Sequence, residues 1–122
     1  MSDDPIDPAV FANLLEMTGN DNEFVDELVD TFLDDGRRQI DALQAAAVAG
    51  DVEALVRPAH SLKTGSLNVG AMRLGELCRE LEEAARSTGA VPDAEDRVTA
   101  ITSAFGSASV ALLQARADRP SG

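Results

Sequence analysis

His60 is the only histidine among the 122 residues. Imidazole is the side chain best suited to accept and release a group near neutral pH. Lys63 follows three residues later and Thr64 four residues later. Helical residues at those spacings are surface neighbours, so the three share one patch, bordered by Val56 and Leu67. An ammonium one turn from a nucleophilic ring can hold an anion against it. Gly65 and Ser66 come next, both small enough to allow close packing or close approach of another surface. Gly70 stands ten residues past the histidine. The chemistry this pattern suggests is transfer of an anionic group through the ring.

Other chemistries lack parts. There is no Gly-rich phosphate loop and no Gly-Lys-Ser/Thr sequence of the nucleotide-binding kind. The chain is therefore not expected to bind ATP or to phosphorylate itself. Di-metal bundle enzymes need Glu-x-x-His on two helices, and the residue three before His60 is Arg57. One cysteine and one histidine cannot complete a zinc site, and no serine has a His–Asp partner in sequence. No cofactor of its own and no metal site are expected.

The elements that must hold the patch read as helices. Alanine and leucine are common and β-branched runs are missing, which is an all-α composition. Asp7-Pro8 reads as an N-cap and first helical position, Val10, Phe11, Leu14 and Leu15 form a stripe, and Gly19 ends this short helix. Asn20 with Glu23 looks like a capping box opening a long helix from about 21 to 49. Gly36 interrupts its apolar pattern and suggests a bend. Gly50-Asp51 is a stop followed by a start. The third helix, about 52 to 69, carries the patch. Its stripe is Val52, Leu55, Ala59, Leu62, Ser66 and Val69, and His60 lies about 120° from the stripe's centre at 100° per residue. Pro58 inside it removes one hydrogen bond and predicts a kink or a freed Ala54 carbonyl.

A fourth helix begins near Ala71 with Leu74, Leu77, Cys78, Leu81 and Ala85 on one face. The last is capped by Asp93 and runs to about Arg116. Short turns between helices make antiparallel neighbours. The expected fold is an up-down-up-down four-helix bundle with the first short helix across one end. One domain spans 1–122, ordered from about 6 to 116, with both ends loose. Arg79, Glu80, Glu82 and Glu83 read as a solvated helix face, although one of them could reach the second ring nitrogen of His60. Val56 and Leu67 are open between contacts for a partner and the edge of the bundle.

The segment resembles the phosphorylation motif of histidine-containing phosphotransfer (HPt) domains, H-x-L-K-G-S with a glycine ten residues after the histidine. The match is His60, Leu62, Lys63, the small residues Gly65 and Ser66, and Gly70. Thr64 departs, because the family often has glycine directly after the lysine. The resemblance extends to the helical layout from about 6 to 116. It implies that His60 is phosphorylated and that Lys63 stabilises the phosphate, with Val56, Thr64, Gly65 and Leu67 meeting partners. It also implies that the phosphoryl group comes from an aspartyl phosphate of a receiver domain, or from a histidine kinase, and passes to another response-regulator receiver. Magnesium is expected only on the receiver. The rival reading is a helical docking module that binds a receiver or kinase without transfer.

The formal net charge of −12 repels nucleic acid and anionic lipid. Absence of Trp and Tyr argues against base stacking. No apolar run approaches the roughly 18–20 residues that span a bilayer, and the acidic N-terminus lacks the parts of a signal peptide. A single cysteine excludes an intramolecular disulfide. The reading is a cytoplasmic monomer with no nucleic-acid or membrane partner.

Overall fold

The computed structural model of the chain describes residues 5–19 and 21–118. These residues form five helices: α1 (Pro8–Met17), α2 (Asn22–Ala49), α3 (Glu53–Val69), α4 (Met72–Thr88) and α5 (Ala94–Asp118). The described residues contain no strand. The expected looseness at 1–4 and 119–122 and the capping role of Asn20 fall outside the described residues.

Local chemistry sets the boundaries. The Asp7 carboxylate accepts from the Ala9 amide at 2.9 Å, and Pro8 follows at the first helical position. Asp21 is the cap of α2, accepting from the Phe24 amide at 3.1 Å. Before α3, the Asp51 carboxylate accepts from the Ala54 amide in the first turn at 3.1 Å. Asp93 stands directly before α5, where its carbonyl accepts from the Arg97 amide and its carboxylate from Arg97 Nε, each at 3.0 Å. Gly70 ends α3 at φ +87°, in the left-handed region that suits glycine. A side chain there would also meet the Asp7 carbonyl, and the Asp7 amide donates to the Gly70 carbonyl at 2.7 Å. The start of α1 is thereby tied to the α3–α4 turn.

In the packing, α2 and α4 each touch both α3 and α5, and α1 touches α2 and α3. Leu43, Leu55, Leu62, Leu74, Leu81, Ile101 and Leu112 are fully buried. Each contributes about 1.5–3 kcal/mol by leaving water. Neighbouring helices run in opposite directions where contacts fix their sense. Arg116 near the end of α5 reaches Asp30 near the start of α2 at 2.8 Å, and Phe105 midway along α5 lies on Gly36 midway along α2. On α3 and α4, Leu67 lies on Gly75 while His60 faces Glu82.

Two sequence expectations are corrected here. First, α2 continues through Gly36 without interruption. Gly36 is buried, and its missing side chain is the space that the Phe105 ring fills. Gly36→Ala would place a methyl 2.8 Å from Cζ of that ring. Overpacking costs about 1–3 kcal/mol, against a helix-propensity gain of about 1 kcal/mol. Urea unfolding should show a net loss for Gly36→Ala. It should show a gain of about 0.5–1 kcal/mol for Gly106→Ala, where nothing lies within 4 Å. A Gly36 variant as stable as the parent would refute the packing role.

Second, α5 is long and apolar enough in composition to cross a bilayer. Alanine and scattered Val, Ile, Leu and Phe, with no charge between Arg97 and Arg116, keep its average apolar without a run of large side chains. Its Val98, Ile101, Phe105 and Leu112 are buried in the bundle core.

Candidate functional site: a histidine on the α3–α4 face

The buried stripe of α3 is Leu55, Pro58, Ala59, Leu62, Ser66 and Val69. That stripe turns His60 to the outside, where its side chain is 54% exposed. Pro58 is carried inside a continuous helix. Its missing N–H leaves the Ala54 carbonyl without the usual helical donor.

Across from His60, α4 presents Glu82. Its neighbours on the stripe, Cys78 and Ala85, are three or four residues away and buried, and Glu82 is buried with them. One carboxylate oxygen, Oε2, lies 3.0 Å from His60 Nδ1 and accepts from Arg86 Nε at 2.9 Å. The other, Oε1, accepts from Lys63 Nζ at 2.8 Å. Burial pushes the Glu82 carboxyl upward. The bonds from Lys63, His60 and Arg86 outweigh that and hold it below the usual carboxylate range. Glu82 is therefore ionised and can only accept. The proton on the ring belongs at Nδ1, and Nε2 is left with its lone pair on the solvent side.

The other residues named from sequence lie along the same face. Lys63 is on the site, but its ammonium is bound to Glu82 and its side chain is only 23% exposed. The Thr64 hydroxyl donates to the His60 carbonyl at 3.2 Å, which occupies its proton and leaves the residue exposed. Gly65 faces Phe32, whose Cδ1 would be 3.4 Å from an added Cβ. That is ordinary van der Waals contact, so the space at Gly65 is not closed off by α2. Ser66 is buried and donates to the Leu62 carbonyl at 2.6 Å. Val56 is half-buried against the core, and Leu67 is 42% exposed over Gly75.

Arg79 is bound to Glu76 and Glu83 on the exposed side of α4. The solvated-face reading holds for those residues, and Glu82 is the one that reaches the second ring nitrogen of His60, the alternative the sequence allowed. The signal for Glu82 is its register, four residues after Cys78 and three before Ala85, on the flank of an apolar stripe. Behind the site Cys78 is fully buried. Burial and then Glu82 push its thiol up to about 12, against the opposing charge of Lys63. A thiol so protonated is not a nucleophile.

A half-exposed histidine on a helical bundle, with one ring nitrogen held by a carboxylate and cations at hand, has the chemistry to accept and release an anionic group. The comparisons with known proteins agree. The Hpt domain family model matches residues 27–117. The chain is similar to the crystal structure of histidine-containing phosphotransfer protein B (HptB) from Pseudomonas aeruginosa PAO1, with a TM-score of 0.84 and 34% identity. That match covers 98% of this chain and 100% of the other. The comparison with curated proteins gave no match. The chain belongs to the Hpt domain family, and its role is phosphotransfer in phosphorelays.

Proposed function

We propose that this chain is a phosphorelay intermediate in which His60 Nε2 takes the phosphoryl group from an aspartyl phosphate of a receiver domain. It then returns that group to the aspartate of a second receiver. The Nε2 lone pair attacks phosphorus, the bond from phosphorus to the aspartate oxygen breaks, and the carboxylate departs with the electron pair. The ring becomes a phosphoimidazolium that keeps its proton at Nδ1, next to the Glu82 carboxylate. The onward transfer reverses these steps at a new aspartate. The observation that carries the reading is the His60 Nδ1–Glu82 contact at 3.0 Å, beside an exposed Nε2.

A phosphoryl group brings about two negative charges. Lys63 answers part of that charge while remaining in reach of Glu82. At roughly 4 Å the attraction is on the order of 1–4 kcal/mol, depending on the effective dielectric. Val56, Thr64, Gly65 and Leu67 border the ring where a partner would meet it. The divalent ion, magnesium, is the receiver's contribution. The helices form an up-down-up-down bundle with α1 across one end, a single domain over 1–122 acting as a cytoplasmic monomer. The opposed senses of α2 and α5 and of α3 and α4 support that topology.

The test uses a receiver domain charged with radiolabelled acetyl phosphate and magnesium, then mixed with the chain. Label should appear on the chain as a phosphoramidate, lost in acid and kept in alkali. It should leave again on addition of an uncharged receiver. Stable binding of receivers with no such label would favour the docking-only reading.

A further inference from the structure

We propose that Arg57 and Arg86 form a cationic docking pair that receives the acidic rim around the phosphorylatable aspartate of a receiver domain. This rests on the phosphorelay reading above and names the contact that orients the partner.

The chain carries 22 acidic and 10 basic residues other than histidine. Against that background, cations gather immediately around His60, with Glu53 and Glu83 at the rim. The cations are Arg57, Lys63 and Arg86, and one carboxylate, Glu82, is buried among them. Arg57 stands one turn before His60 on the same side of α3 and is exposed. Among the described residues its side chain has no hydrogen-bond or ion-pair partner. Glu53, four residues earlier, is exposed and does not pair with it. On α4 the nearby Glu83 is bound to Arg79.

Arg86 adds the second charge from the other helix. Its Nε shares Glu82 Oε2 with His60 Nδ1, which fixes its distance from the ring. Its side chain is still 58% exposed. Because α4 runs opposite to α3, Arg86, one turn beyond Glu82, is level with the turn before His60 where Arg57 stands. Both exposed guanidinium groups thus lie at one end of the patch, and Lys63, Thr64 and Leu67 lie toward the other.

A partner whose aspartate sits among carboxylates that hold a divalent ion presents the complementary charge. The acidic remainder of this chain repels that same partner, so only one approach is favoured. Charges placed at the rim of an interface act mainly on the rate and orientation of encounter and on its salt dependence. Guanidinium groups suit this task, being planar donors matched to carboxylates.

The experiment measures the second-order rate of phosphoryl transfer from a receiver charged with acetyl phosphate, at low and at high ionic strength. Arg57→Glu should slow transfer about tenfold at low salt and flatten its salt dependence. Arg57→Lys should stay within about twofold of the parent. Arg57→Gln gives a milder slowing and keeps the test available if the glutamate variant fails to fold. The lifetime of phosphorylated His60 in the isolated protein should be the same in all of them. Arg57→Glu or Arg57→Gln transferring at the parental rate with the parental salt slope would overturn the proposal. So would a shortened phosphohistidine lifetime, because Arg57 would then act on the phosphoryl group itself. If the parent chain takes no label from any receiver, the phosphorelay reading fails first and this inference with it.

Discussion

His60→Gln is expected to remove phosphoryl acceptance, with a fall on the order of 10³-fold or more, while the helices remain. An amide nitrogen has no available lone pair, so no P–N bond forms at residue 60. The position is outside the core, and the ring's polar contact is with Glu82 alone. Loss of that single bond bears on stability by about 1 kcal/mol. Circular dichroism and urea unfolding should therefore overlay closely on the parent. Labelling by a charged receiver should be undetectable. Label that moves equally well to the glutamine variant would place the acceptor elsewhere, although Ser66 is buried and hydrogen-bonded, and Cys78 is buried and protonated.

The parts of this molecule that were legible in sequence are those decided by neighbours along the chain. Asp7-Pro8 caps and starts a helix by chemistry confined to three residues. Gly50 and Gly70 end helices because each takes a positive φ. The outward direction of His60 followed from its angle to the α3 stripe. What was not legible depends on residues far apart in sequence. Nothing near Gly36 announces Phe105, 69 positions away, so the glycine read as a bend instead of a recess. Glu82 and His60 are separated by 22 positions, and a row of charged residues on one helix reads as solvated until its partner helix is placed.

The same distinction explains smaller differences. Asp21 caps α2, and helix boundaries at this one-residue scale are finer than sequence pattern resolves. In α5, the average is apolar because no charged residue stands between Arg97 and Arg116, although small and hydroxyl residues interrupt every run of large apolar side chains. Lys63 is the instructive case. Its spacing from His60 put it on the site, but spacing alone left its ammonium free. In the folded protein it is bound to a buried carboxylate. An incoming phosphate competes with Glu82 for that ammonium, so the charge available to the phosphate is less than that of an unpaired lysine.

Glu82→Ala is expected to slow transfer to His60 about 10- to 100-fold. As Nε2 takes up phosphorus the ring gains positive charge, and its Nδ1–H bond to Glu82 strengthens. A hydrogen bond to a charged group is worth about 1.5–3 kcal/mol, and each 1.36 kcal/mol is about tenfold in rate. The variant also releases Lys63 and Arg86 from their common anchor. Glu82→Gln keeps an acceptor for the ring without the charge and should fall between the two. Nitrogen NMR of the imidazole separates positioning from a structural effect. The parent should hold the Nδ1–H tautomer, and the alanine variant should lose that bias at unchanged helicity. The pH dependence follows from the sign of the shift. The Glu82 carboxyl is lowered from 4.5 in the folded chain. Its stabilising contribution is therefore complete above that value and is lost as pH falls through the lower, folded value. Acid unfolding of the parent should steepen in that window, and Glu82→Ala should lack that component. An alanine variant that transfers at the parental rate with the parental tautomer would mean that Glu82 only fills space between α3 and α4.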